Sequence, residues 1–507
     1  MSNNSELIVQ QIQSQFDTLL ARARNTGAQP QSAYSMEHDL FAGMLELGRL
    51  VLKYSYCLQQ EALASVEVVN VGGKRLPLKG MRSRSVRSVF GKFTFERGYY
   101  YAEKQGYHLV DALLNLPEDS TTDLLREWES KLACYDPYHK TSKTLGNILG
   151  QQLSARAIED GIAGDCDLAT DFFTQQPAPE PSPDASILVF QADGKGIPMV
   201  GEKRDGKRVR LGKGEKTSRK KEAIATAVYT IAPCSRTPEE VTDSLFDTKP
   251  PVNQVASSEA QVAEKRKGPC NKWLRATLKG KSAAITLART QVLTREGNHI
   301  SARVALTDGA PSLQNQVVAK MPEFTLILDV IHAIEYLWKV ANAVYGETST
   351  KRVMWVRERV LLMLSGNTQQ IIDEFQRIAN APACRKRPKS VLLSTAGYFE
   401  RNLAYMSYDA YLKNGWPIGT GVIEGACRHL IKDRFELSGM RWTVSGAESL
   451  LNLRSIAEKD DWERFEVYRQ KQRKLRVYGS IGPVDRCTTI ERTVSEATKG
   501  ELAAKAA

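Results

Sequence analysis

The stretch QQPAPEPSPDAS at 175–186 places four prolines in twelve residues. Proline fixes φ and lacks the backbone N–H, so neither a helix nor a central strand can run through this segment. It is a linker, and the chain must fold as separate regions on either side of it. A length of 507 residues suggests about three domains. With 42% hydrophobic and 25% charged residues, packed cores are expected rather than global disorder.

Before the linker, residues 1–70 read as a helical region. Residues 5–24 and 37–68 carry helical periodicity without proline, and Leu40, Met44, Leu47 and Val51 recur at helical spacing. Residues 71–174 change character. SVRSVFGKFTFERGYYYAE (85–103) predicts a β-hairpin about Gly91 with Arg and Lys on its outer face. LGNILGQQLSARAIEDGI (145–162) predicts a helix, a glycine turn and a second helix capped by Ser154, a spacing compatible with helix-turn-helix contact to DNA.

After the linker, ILVFQADGKGIPMV (187–200) predicts a strand ending at Asp193-Gly194, and AIATAVYTIAP (223–233) a second strand. SARVALTD (301–308) predicts a strand ending at Asp308-Gly309, and FTLILDVIH (324–332) another ending at Asp329. Residues 333–413 are almost continuously helical, with breaks at Gly346, Gly366 and Pro382. Residues 421–435 predict one more amphipathic helix, and the segment from 485 to 507 is a polar tail.

Charge is concentrated. The chain carries +12, of which residues 71–97 supply +7 and residues 201–222 supply +6, leaving the remainder near neutral. Two dense basic patches on a neutral body suit a polyanion, and neither lies on a strongly amphipathic helix that would favour a lipid surface. Arg82, Arg84 and Arg87 in the first patch, and Lys216, Arg219, Lys220 and Lys221 in the second, are the candidate DNA contacts. No apolar run approaches a membrane span, and the start lacks a signal-like pattern, so no membrane association is expected. The eight cysteines include no CxxC pair, which argues against a disulfide scaffold or a sequence-local zinc site and suits free thiols in a cytoplasm.

Three acids lie where elements begin or end beside small residues: Asp193, Asp308 and Glu424, the last in the first turn after Gly-Thr-Gly. Carboxylates converging from adjacent strand ends suit Mg²⁺ or Mn²⁺, and two such ions would serve phosphodiester chemistry. An Asp-Gly turn alone is one of the commonest loop signals, so each position has a plain structural alternative. Arg428 and Lys432 follow Glu424 at four-residue spacing and could meet a phosphate backbone. Arg441 and Trp442 could contact DNA, the indole by stacking on an unpaired base, with core packing as the alternative for Trp442.

ADGKGIPM, VALTDGAPSL, LILDVIHAIEYLW and GTGVIEGACRHLIKDRFELSGMRW occur in that order. Together they resemble DDE transposases of bacterial insertion sequences, most closely the ISKra-like group related to Mutator-like transposases. The resemblance spans roughly 80–470. It implies an α/β, RNase H-like (retroviral-integrase-like) catalytic core interrupted by an all-α insertion and preceded by a mainly α DNA-binding region with a β-hairpin. The core would occupy 187–332 and 414–484, with the insertion at 333–413, provided that 201–222 and 240–280 are loops outside the sheet. It also implies that Asp193, Asp308 and Glu424 are the metal ligands, that His332, in the Asp329-x-x-His332 motif, joins them at the catalytic site, and that two Mg²⁺ or Mn²⁺ ions act there.

The function expected on these grounds is that of an insertion-sequence transposase in the bacterial cytoplasm, at the nucleoid. It would bind terminal inverted repeats, free a 3′-OH and join it to target DNA, as a homo-oligomer. The alternatives are a metal-dependent nuclease of the same core without strand transfer and a catalytically inactive, transposase-derived DNA-binding protein.

Overall fold

A computed structural model describes residues 3–25, 31–200, 220–246, 267–382, 384–437 and 439–491. The chain is a mixed α/β protein with two mixed sheets and many helices. It divides into two compact units, Met1–Phe172 with Asp460–Ala507 and Phe173–Lys459. The expected core segment 414–484 therefore ends early: from Asp460 the chain belongs to the first unit. Lys216 and Arg219 lie outside the described residues.

Unit 1 begins with helices α1 (Asn3–Asn25) and α2 (Ala33–Glu61). Its sheet has the order β10-β11-β1-β2-β3-β4, formed by β1 (Val68–Val71), β2 (Lys74–Ser88), β3 (Gly91–Ala102), β4 (Gln105–Tyr107), β10 (Ser480–Ile481) and β11 (Cys487–Glu491). The β2–β3 hairpin is the one the sequence indicates, although longer. Gly91 holds φ +125°, where a side chain would be strained. β11 pairs parallel with β1, and Tyr107 Oη donates to the Tyr478 carbonyl at 2.9 Å, which returns the C-terminal segment to this unit. No local pattern in 485–491 marks that return.

The expected helical pair is present as Tyr138–Leu149 and Ala155–Gly164, with Gly150 at φ +61° between them. Ser154 Oγ accepts the Ala157 N–H at 3.3 Å, a side-chain N-cap. Ile158 and Ile162 turn inward, while the exposed Arg156 is paired to Glu159 and Asp160.

Unit 2 is built on a five-stranded sheet of order β7-β6-β5-β8-β9. Its strands are β5 (Ile187–Pro198), β6 (Lys220–Ile231), β7 (Cys270–Thr277), β8 (Ala302–Thr307) and β9 (Thr325–Leu328). β5, β8 and β9 run parallel, and β6 is antiparallel to both β5 and β7. β5 is central, and Ile187–Ala192 are all buried, as a strand covered on both faces requires. Leu188, Phe190 and Ala192 pack into a core with Ile285, Val292 and Leu313, and burying each large side chain contributes roughly 1.5–3 kcal/mol. The intervening residues, Gln191 and Asp193, face the opposite side of the sheet.

Two expectations need correction. The segment 240–280 is not wholly outside the sheet, because Cys270–Thr277 forms edge strand β7. Lys272 and Arg275 interrupt its apolar run in the sequence. Arg275 is nevertheless buried and donates to Asn452 Oδ1 at 2.9 Å, an arrangement that local pattern cannot reveal. Likewise β5 does not end at Asp193 but continues five residues to Pro198, paired with β6 throughout. The helices at 333–413 fall where expected, in Val330–Tyr345, Lys351–Leu364, Thr368–Asn380, Lys386–Asn402 and Tyr408–Lys413.

Candidate active site

The parallel register of β5 and β8 aligns Gln191 with Leu306 at its last pair. Two residues further along lie Asp193 on β5 and Asp308 just past the end of β8, so the two carboxylates arise side by side where the strands part. Burial pushes the Asp193 carboxyl above its usual range, and the neighbouring Asp308 charge adds to that. The Cys427 thiol and the Gly194 N–H, donating to Asp193, act in the opposite direction. Asp308 Oδ1 accepts the Ala310 N–H at 3.0 Å. The turn after it requires glycine. Gly309 has φ +84°, and a Cβ there would lie 2.6 Å from Tyr398 Oη. That hydroxyl donates to the Asp308 carbonyl at 2.9 Å. Tyr398 comes from the helical insertion, as does Tyr408, whose hydroxyl donates to the Leu328 carbonyl at 2.9 Å. The insertion thus braces the ends of both β8 and β9.

Asp329 is fully buried at the start of the helix Val330–Tyr345. Its Oδ2 accepts the His332 N–H at 3.0 Å and the ring Nδ1–H at 2.6 Å, and its Oδ1 accepts the Thr420 N–H at 2.9 Å. The hydrogen bond to Asp329 is the main reason the His332 pKa is pushed up to about 9. His332 is therefore an imidazolium at neutral pH, with Asp308 and Glu335 also favouring its charge.

Glu424 is exposed in the first turn of the helix Gly421–Ala426 and accepts the Thr420 hydroxyl at 3.1 Å. Its helix is fastened to the sheet by Gln191, a fully buried side chain. Gln191 Oε1 accepts the Ile423 N–H at 3.0 Å, while Nε2 donates to the Gly419 carbonyl at 3.2 Å and the Tyr229 hydroxyl at 3.0 Å. A first-turn N–H has no partner within its own helix, so this bond satisfies a group that burial would otherwise penalise. β5 thereby carries both Asp193 and, on the same face two residues earlier, the residue that seats Glu424. Sequence reasoning missed Gln191: a lone amide within an apolar strand carries no motif.

Asp329, His332 and Glu424 each offer a ligand atom within 4.8 Å of one another, a grouping of metal-ligating type among the described residues. The trio expected from the sequence, Asp193, Asp308 and Glu424, thus shares its third member with a second constellation. Asp193 and Asp308 act electrostatically on each other, both act on or are acted on by His332, and Asp193 and Glu424 both raise the Cys427 thiol.

The helix expected over 421–435 is not a regular α-helix. It is α-helical over Gly421–Ala426, a π-helix over Cys427–Lys432, and α-helical again over Asp433–Phe435. π turns are rare and often occur at functional sites. This one brings the Cys427 thiol to Asp193. Arg428 and Lys432 remain exposed, Arg428 being 3.8 Å from Asp433. Arg441 is exposed as well. Trp442 is buried, its ring 4.8 Å from Phe435 and beneath Arg434, so it packs in the core instead of offering a free stacking face.

Three of the other expected DNA contacts are committed within the fold. Arg84 is paired with Asp111 at 2.7 Å and bonds to the Pro117 and Asp119 carbonyls. Arg87 donates to the Gln152 carbonyl at 2.5 Å, and Lys220 to Glu436 at 2.8 Å. Arg82 is exposed over the Tyr99 ring, and Lys221 is exposed at the start of β6. Among the other glutamates, Glu448 is buried and accepts the Thr277 hydroxyl at 2.6 Å and the Leu278 N–H at 2.7 Å. Glu323 pairs with Arg289 at 2.7 Å, and Glu335 is exposed.

Among the described residues, no helix is long and apolar enough to cross a membrane. Residues 65–224 match a family described as "Uncharacterised protein family (UPF0236)"; the match includes Asp193 but neither Asp308 nor Glu424. No curated protein matches the sequence. A solved structure described as "Drosophila P element transposase strand transfer complex" is similar over 73% of this chain and 90% of that one, at 10% identity and a TM-score of 0.24.

Proposed function

We propose that unit 2 is the catalytic core of a DDE transposase, which cleaves a DNA strand at a terminal repeat and joins the freed 3′-OH to target DNA. One observation carries this reading: Asp193 and Asp308 arise side by side where the parallel strands β5 and β8 part, and Asp193 lies on the strand whose Gln191 seats the Glu424 helix. The strand order β7-β6-β5-β8-β9, with β6 alone reversed, supports an RNase H-like core.

The donor set fits a hard divalent cation. Two neighbouring carboxylates, one of them with its charge disfavoured by burial, gain most from a bound positive ion. Asp193, Asp308 and Glu424 would hold Mg²⁺ or Mn²⁺, two ions on our reading. Such ions would activate an attacking oxygen and stabilise the leaving oxygen of a phosphodiester. The chain's own groups do the remainder. His332, held cationic by Asp329, presents its other ring N–H to a phosphate oxygen. Arg428 and Lys432 line the approach beyond Glu424 and neutralise backbone charge.

The test uses a labelled DNA end bearing the terminal repeat, with Mn²⁺ and a target duplex. The wild type should nick the repeat and produce joined product. Glu424→Gln should lose both activities while still binding the repeat, and Glu436→Gln should keep both. Cleavage without any joined product would favour the nuclease alternative, and cleavage by Glu424→Gln at the wild-type rate would contradict the assignment of the third ligand.

A further inference from the structure

The N-terminal hairpin of unit 1 leaves one apolar face open. α1 and α2 pack antiparallel: Ser5 Oγ bonds Glu61, and Gln15 Nε2 donates to the Gly43 carbonyl at 3.2 Å. Leu19 fills the space over Gly43, where an added Cβ would approach its Cδ2 to 2.3 Å. Ile8 on α1 and Gly43, Leu50 and Cys57 on α2 are buried along this seam.

At 3.6 residues per turn, Val9, Phe16 and Leu20 lie about 80–120° around α1 from Ile8, and Leu40, Met44 and Val51 about 60–100° around α2 from Gly43. In an antiparallel pair these two rotations lead to the same side, so the six residues form one face. All six are between 37% and 55% exposed. The sheet lies elsewhere around α2, where Tyr56 meets Phe93 and Phe95 and Gln60 accepts the Gly98 N–H. The stripe Leu40, Met44 and Val51, which sequence periodicity marks as a core face, therefore has no core beneath it among the described residues.

Charge and area identify the occupant. Residues 3–61 carry four Lys/Arg and six Asp/Glu, a net −2 on a chain of +12. A polyanion footprint or an anionic lipid surface would call for a basic rim. At roughly half exposure, six large apolar side chains present about 500 Å², close to two-thirds of the roughly 800 Å² that each partner contributes to a stable interface. That apolar share matches a homodimer interface, with polar residues supplying the rim. A two-fold axis places the same face on both sides, so self-complementarity needs no second surface.

We propose that a second copy of this chain docks on this face, pairing two hairpins into a four-helix assembly through Phe16, Leu40, Met44 and Val51. This does not rest on the strand-joining chemistry of unit 2. Sedimentation velocity on the full chain should show a dimer that dissociates on dilution. Leu40→Glu with Met44→Glu should weaken the dimer at least about a hundredfold, because two charges would be buried at its centre. Circular dichroism should be unchanged, since both positions are exposed. Phe16→Glu, on the other helix, should act in the same direction and serves if the double variant misfolds. A wild type that stays monomeric, a double variant that is folded yet dimerises normally, or a monomer that binds phosphatidylserine vesicles through this face would each overturn the proposal.

Discussion

The two units treat buried charge in opposite ways. In unit 1, the buried Asp111 and the half-buried Asp123 are matched by arginines. Asp111 is paired with Arg84 and Arg97, and Asp123 meets Arg469 at 3.0 Å and Arg473 at 2.6 Å. The Asp111 pairs tie β2 and β3 to the helix Leu109–Leu113, and the Asp123 pairs tie the helix Asp123–Ala133 to the returning helix Trp462–Arg473. In unit 2, among the described residues, neither Asp193 nor Asp308 has an arginine or lysine ion pair. Their partners are backbone amides, a thiol and the nearby His332. Matched charge fixes a scaffold, whereas on the proposed reading the two neighbouring carboxylates of unit 2 would depend on a cation from outside for their stability and chemistry.

That contrast can be broken most forcefully at Asp111. Asp111→Ala leaves the partly buried Arg84 and Arg97 without their anion, and should cost about 3–5 kcal/mol in a denaturant titration. A loss below about 1 kcal/mol would make the cluster a surface feature instead of a scaffold. Gln191→Leu sharpens the same contrast in unit 2. It keeps the apolar packing but strands the Ile423 N–H, at a cost of about 1–3 kcal/mol. Strand cleavage should fall much further than stability, because Glu424 loses its seat. Equal, small losses in both would leave Gln191 a packing residue.

Protonation supplies a gentler probe. Burial, with Arg97 close by, lowers the His108 pKa to about 4. The folded value lies below the unfolded one of about 6.5, so the stability that neutral His108 preserves is present above pH 6.5 and is lost as pH falls toward 4. His108→Gln should flatten the acid limb of a melting-temperature profile in that window. An unchanged limb would place the acid sensitivity elsewhere. The smallest expected effect is at the rim of the site. Lys432→Ala should weaken DNA binding and reduce the log–log salt slope by about 0.9, one phosphate contact. An identical slope would remove Lys432 from the DNA path.

The legible parts of the molecule were those with local signatures. Asp-Gly after an apolar run marked Asp193 and Asp308, and four prolines marked the break before β5. The glycine turn and Ser154 marked the helical pair at 138–164. What escaped depends on distant partners. β7 was hidden because Arg275 finds Asn452 far along the chain, and Gln191 because its partners come from Ile423, Gly419 and Tyr229. The π turn at Cys427–Lys432 has no periodicity signal over six residues. The exposed stripe on α2 shows the converse: periodicity identifies an apolar face but not what covers it.

The central claim, that the carboxylates of unit 2 await a cation while those of unit 1 do not, is tested most directly by melting temperature against Mn²⁺ concentration. The wild type should be stabilised in proportion to the logarithm of free Mn²⁺ above its Kd. Asp308→Asn, which removes one of two neighbouring like charges, should melt higher than the wild type without metal and respond little to Mn²⁺. If Asp308→Asn instead melts lower in the absence of metal and gains as much from Mn²⁺ as the wild type does, these carboxylates do not form the cation site.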